Sequence, residues 1–127
     1  MELCAAVNAS LAAATIVAEL RKKADAVYMH TDSAVLMCYL KNKEKCLEFR
    51  VGIILNNTLS DHWFYVPTAD NQADCASRAT SVGTLMSSCC FWGPSRLWDP
   101  NYSPGTYGSE EQITTLPEIV ESKQVTA

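Results

Sequence analysis

No CxxC pair and no regular spacing occurs among the six cysteines, Cys4, Cys38, Cys46, Cys75, Cys89 and Cys90. Neither a zinc module nor a disulfide scaffold is therefore expected. Several of these cysteines lie among apolar neighbours, where a free thiol behaves as a small buried hydrophobe, and this implies a reducing, intracellular setting. Charge is scarce as well. Lys and Arg number 10 against 14 Asp and Glu, and a net charge of -4 does not advertise a nucleic-acid binder. The deficit is uneven: residues 1–50 hold seven basic against six acidic side chains, and residues 51–127 hold three against eight. Any basic surface must draw on Arg21, Lys22, Lys23, Lys41, Lys43, Lys45 and Arg50, whose ordinary role is to solvate helix ends and turns. The apolar stretch from Leu11 to Ala18 lacks the basic start of a signal peptide and is interrupted upstream by Asn8 and Ser10. Glu19, Arg21 and Lys22 follow it, so neither secretion nor a membrane span is expected. No internal repeat is visible, and 127 residues of 48% hydrophobic composition suit one domain with a tail.

Hydrophobic periodicity orders the rest. Leu3, Val7, Leu11, Ala14, Val17 and Leu20 recur every three or four positions and predict a helix over 2–22. Ala26 to Thr31 carries β-branched and aromatic residues and reads as a buried strand, ending at Asp32-Ser33. Either of those two can cap a following helix from Ala34 to about Leu40. Leu47, Val51, Ile54 and Leu55 suit a helix from Cys46 to Leu55, although Gly52 weakens it and Phe49 and Ile53 would also fit a strand. Trp63 to Val66 is the second strand, closed by Pro67, and Gln72 to Arg78 can begin another helix. Residues 91–127 hold every proline but Pro67 and three of the five glycines, with no sustained apolar period. They read as an irregular tail or linker after a domain spanning 1–90. Strands separated by helices imply an α/β fold with two parallel strands and three to four helices.

Three carboxylates stand at element ends: Glu2 at the start of the first helix, Asp32 after the first strand, and Asp74 after the second. An Asp in such a position is ordinarily a helix cap. If all three ends face the same way, the carboxylates converge, and convergent carboxylates are stable when ionised chiefly around a divalent cation such as magnesium or manganese. Such a site suits phosphodiester hydrolysis by two metal ions. His30 and His62, within and just before the strands, have no ligand spacing and read as structural. Trp63, Trp92 and Trp98 read as core or tail anchors rather than base-stacking platforms.

Particular segments carry a family likeness. His30-Thr-Asp-Ser33 resembles the Thr-Asp-Ser step of ribonuclease H domains, and Asn71-Gln-Ala-Asp-Cys-Ala-Ser-Arg78 resembles the Asn-x-Ala-Asp-x-x-Ser-Arg step of retroelement versions. Glu2-Leu-Cys-Ala-Ala6 is similar to the opening of the first long helix in BEL/Pao-type retrotransposon ribonuclease H-like domains. Trp63-Phe-Tyr-Val-Pro-Thr68 is similar to their Trp-x-x-Val-Pro-Thr strand, and Trp92-Gly-Pro-Ser95 with Leu97 and Asp99-Pro100 to their tryptophan-rich tail. These elements keep the family order over residues 2–100, and Leu116-Pro-Glu118 is similar to the linker towards the integrase of such polyproteins. Ala79 stands where Gly usually follows Ser-Arg, and the tryptophan-rich stretch is one residue short between Trp92 and Gly93.

The resemblance implies a truncated ribonuclease H-like fold. It makes Glu2, Asp32 and Asp74 the second, third and fourth family carboxylates, both catalytic and metal-binding, with Ser33, Asn71 and Arg78 touching nucleic acid. It also implies magnesium or manganese as cofactor and an RNA-DNA hybrid as partner. The first family Asp, which bridges both metals, comes from a strand that would precede Glu2, and only Met1 does so. The expectation is thus a remnant of a retroelement ribonuclease H with little or no activity, because losing a bridging carboxylate weakens both metals. The alternatives are a domesticated non-enzymatic module that binds nucleic acid or protein, and a decayed fragment without a selected function. A two-stranded sheet with open edges is marginal, so self-association or completion of the sheet by another chain is expected, and a monodisperse, cooperatively melting monomer would refute it.

Overall fold

The computed structural model describes residues 1–42 and 49–104. The start of the helix expected from Cys46, and residues 105–127 with Leu116-Pro-Glu118, lie outside the described residues. Helix α1, Glu2–Glu19, leads to strand β1, Met29–Thr31, and then to helices α2, Ala34–Lys41, and α3, Phe49–Asn57. A single 3-10 turn, Ser60–His62, precedes strand β2, Trp63–Tyr65. After a second turn at Thr68–Asp70 come three short helices: α4, Asp74–Ser77; α5, Val82–Ser87; and α6, Cys89–Trp92. The architecture is mixed helix and strand, with β1 and β2 in a two-stranded parallel sheet.

The strands are shorter than their sequence pattern. Met29 pairs with Trp63, His30 with Phe64 and Thr31 with Tyr65, and Val66 N–H donates to Thr31 O at 2.9 Å. Residues 26–28 do not join because the chain opposite them is the Ser60–His62 turn, which offers no extended partner. His62 Nδ1–H instead donates to Val27 O at 3.1 Å and satisfies that carbonyl from a side chain.

Period-two alternation divides the sheet into two faces. Met29, Trp63 and Tyr65 meet the core formed by Ala34, Leu36, Met37 and Leu40 of α2 with Val51 and Ile54 of α3. Trp63 is buried there, and its Nε1–H donates to Thr58 Oγ1 at 2.8 Å, so the indole's polar edge is paired. On the other face the rings of Tyr28 and Phe64 lie 5.8 Å apart and those of His30 and Phe64 6.0 Å apart. Trp92 and Trp98 are mostly exposed, so of the three expected tryptophan anchors only Trp63 enters the core.

The buried stripe of α1 differs from the expected one. Ala6 and Ser10 are its buried residues, with Leu3 and Val7 packed beside them. Small side chains let α1 approach α3 closely, and the Ser10 hydroxyl is satisfied by donating to Val7 O at 2.8 Å. Leu11, Ile16, Val17 and Leu20 are 46%, 59%, 39% and 49% exposed, because no described element lies over them. A groove of about 530 Å³ runs beside this ridge, between Ala13, Ala14 and Val17 of α1 and the segment Leu55–Leu59. By length and mean hydropathy, 1.3, α1 also has the dimensions of a short membrane span, although its first three turns are packed on α3.

The chain beyond residue 90, read as an irregular tail, carries helical turns and binds back. α6 reaches Trp92, and a 3-10 turn covers Ser95–Trp98. Between them Gly93 has φ +74°, ψ 172°, a conformation open essentially to glycine alone. Arg96 Nη1 donates to Asp70 O at 3.1 Å, and His30 Nε2 shares a hydrogen bond of 3.1 Å with Tyr102 OH. Burial, and after it the nearby Arg96 guanidinium, hold the His30 imidazole below its ordinary value.

Gly52 lies inside α3, and a methyl group placed on it would meet nothing within 4 Å. Gly52→Ala is therefore expected to stabilise the protein by about 0.5–1 kcal/mol in urea denaturation, through helix propensity alone. Destabilisation would mean that the site is more crowded than this.

Candidate functional site

The C-terminal end of β1 and the N-termini of α1 and α2 meet around Ser33. The chain leaves β1 at Thr31, whose Oγ1 accepts from Ser33 N–H at 3.1 Å and turns the backbone sharply. Ser33 then caps α2, its Oγ accepting from Leu36 N–H at 3.1 Å. The same hydroxyl donates to Glu2 Oε2 in the first turn of α1. Ser33 is only 6% exposed, so its one proton and one of its lone pairs are committed inside the protein. Asp32, beside it, is half-buried.

Glu2 itself is exposed and borders a groove of about 440 Å³ lined also by Leu3, Val35, Leu36, Tyr39 and Arg50. Its carboxylate lies in the first turn of α1 and accepts the Ser33 hydroxyl hydrogen bond. The structure thus brings three of the six sequence-derived positions, Glu2 and the adjacent Asp32 and Ser33, to one end of β1.

The remaining three sequence-derived positions form a second, local network. Asn71 Oδ1 accepts from Ala73 N–H at 3.2 Å and Asn71 O accepts from Asp74 N–H at 3.2 Å, a turn that starts α4. Asp74 Oδ2 then takes Arg78 Nη2–H at 2.9 Å across one helical turn. Among the described residues, no three His, Cys, Asp or Glu side chains gather closely enough to hold a metal ion. Glu2, Asp32 and Asp74 as they stand do not fit a magnesium or manganese centre: Ser33 engages one carboxylate, Arg78 another, and no third joins either.

Thr31, Gln72 and Cys90 were not singled out by sequence. Thr31 was within reach, since a hydroxyl two residues before Ser33 is the spacing of this turn. Cys90 Sγ–H donates to Gln72 O at 3.4 Å, a contact across 18 positions that no local pattern reveals. Hydrogen bonding to Ser88 and then to Cys75 lowers the Cys90 thiol from its ordinary value. Compared with protein-family models, with curated proteins and with solved structures, the chain matches none.

Ser33→Ala removes the α2 cap and the tie to Glu2 together. A cap contributes about 1 kcal/mol and a hydrogen bond to a charged group about 1.5–3 kcal/mol before allowing for the exposure of Glu2. The expected loss is about 2 kcal/mol in urea denaturation, with Glu2→Gln costing less because its amide oxygen still accepts. A neutral Ser33→Ala would show that neither bond holds the two helix ends together.

Proposed function

We propose that this chain is a ribonuclease H-like remnant of retroelement origin that does not hydrolyse RNA-DNA hybrids. The observation that carries the reading is the Ser33 hydroxyl bridging the cap of α2 to the Glu2 carboxylate. Through it, the Glu2 and Asp32 positions of the resemblance become neighbours at the C-terminal end of a parallel strand, where α/β folds collect their ligand-binding groups. The order of elements supports it too: a long helix, a strand ending at Thr31 just before Asp32-Ser33, two helices, a parallel partner strand ending at Tyr65 just before Val66-Pro67, and a helix that opens with Asp74.

The lack of hydrolysis rests on the state of the carboxylates. A two-metal site needs several ionised carboxylates free to face the same cations, since cation charge offsets their repulsion and the charge that develops on phosphate. Here Asp74 faces Arg78, and Glu2 receives the Ser33 proton. A magnesium ion drawn to Glu2 or Asp74 would compete with the Ser33 hydroxyl and the Arg78 guanidinium for those carboxylates. If displaced, Ser33 would lose a hydrogen-bond acceptor in a buried position, which costs about 1–3 kcal/mol.

Incubation of the purified chain with a labelled RNA-DNA hybrid, with and without magnesium or manganese, tests this directly. No metal-dependent cleavage is expected at any chain concentration. Cleavage that needs the metal and disappears in Asp32→Asn would overturn the proposal. Hybrid binding that weakens steeply with salt, without cleavage, would replace it with a nucleic-acid-binding role.

A further inference from the structure

We propose that Cys75 and Cys90 form a reversible disulfide that clasps α4 to α6. Neither is in a disulfide, and both are half-buried rather than sealed in the core. Two bonds to one atom place them together: Cys75 N–H donates to Gln72 O at 3.2 Å, and Cys90 Sγ–H donates to the same oxygen at 3.4 Å. The Cys75 side chain is also among the groups that lower the Cys90 thiol from its ordinary value. The local fold aims Cys90 at this point, because Ser88 caps α6 by accepting from Cys90 N–H at 3.3 Å. By contrast, Cys4 lies on α1 and Cys38 on α2, each on an element remote in sequence from this pair.

A peroxide is the oxidant that suits a half-exposed thiol pair. In the order written with Cys90 first, its sulfur attacks one peroxide oxygen. The O–O bond breaks, an S–O bond forms, and the thiol proton leaves with the displaced hydroxide as water. The Cys75 sulfur then attacks the oxidised Cys90 sulfur, forming S–S and breaking S–O, and its proton leaves with that hydroxyl as a second water. The two thiols are oxidised by two electrons and the peroxide is reduced by two, and the reverse order gives the same product. Excess small-molecule thiol restores both cysteines by two successive exchanges.

The consequence lies in how short these helices are. α4 and α6 span four residues each, too short to be stable by themselves. A covalent link across the intervening chain removes conformations from their opened state and so disfavours local opening. α4 opens with Asp74, so the clasp would also fix the fourth carboxylate position; that last step rests on the ribonuclease H-like reading.

The test uses the full chain with Cys89→Ser, which leaves Cys90 as the single cysteine between Arg78 and Arg96. After brief treatment with hydrogen peroxide, the intact mass should fall by about 2 Da, the two thiol hydrogens. Tryptic digestion without reductant should give one linked pair, containing Cys75 and Cys90, that dithiothreitol separates. Amide exchange over 72–92 should slow by about threefold or more in the oxidised chain. A linked peptide involving any other cysteine, or sulfinic acid without a link, would overturn the proposal. Linkage with unchanged exchange would overturn the clasp. Neither readout involves metal or nucleic acid, so failure of the functional reading would leave the thiol result standing.

Discussion

Three backbone-paired residues on each of two parallel strands are too few to hold a sheet together, and the rest of the structure depends on what is laid over them. On one face α2 and α3 supply Leu36, Leu40, Val51 and Ile54, and Trp63 joins them from β2. That wedge of side chains holds the strands in register, because a shift by one residue would turn Trp63 out of the core and Phe64 into it. α1 reaches the same core by a narrower path, through Ala6 and Ser10 against α3. The opposite face is held more lightly, by the ring contacts of Tyr28, His30 and Phe64 and by Tyr102 returning to His30.

This arrangement explains why the polar end is organised as it is. Acidic side chains that meet at element ends repel unless something positive or proton-donating comes between them. Each of Glu2 and Asp74 has found such a neighbour within the chain: a buried hydroxyl that also caps a helix, and an arginine one turn along. These solutions are local and inexpensive in conformational terms, and they compete with any external cation.

Much of this was legible in the sequence, for identifiable reasons. A cap of α2 at Asp32 or Ser33, a strand over Trp63 to Val66 before Pro67, and a helix over Cys46 to Leu55 follow from residue chemistry within a few positions; Ser33 is the cap, β2 stops at Tyr65, and the described helix is Phe49–Asn57. The parallel pairing followed from strands separated by helices. The neighbouring of Glu2 with the Asp32-Ser33 step was reached through the family likeness; spacing could not place residues so far apart. The Asp74–Arg78 pair was readable from helical spacing, yet Asp74 was assigned to a metal and Arg78 to nucleic acid, so their affinity for each other went unweighed. The buried stripe of α1 was misplaced because hydrophobicity ranks Leu11 and Val17 above Ala6 and Ser10, whereas close helix packing selects small side chains. The return of Arg96 and Tyr102 onto Asp70 and His30 has no sequence signature, since it depends on where the sheet ends in space.

The distance along the chain between the paired strands bears on how the molecule assembles. Met29 can meet Trp63 only after the intervening helices have closed a long loop, so no hairpin-like contact can start the sheet. Helical turns form early and locally, while β1 and β2 join late, together with the core that Trp63 completes. Thr31, Asp32 and Ser33 acquire their positions in that same late step. A chain whose sheet has not formed therefore presents helices without a sheet and Glu2 without Ser33, while the local Asp74–Arg78 pair needs no sheet at all.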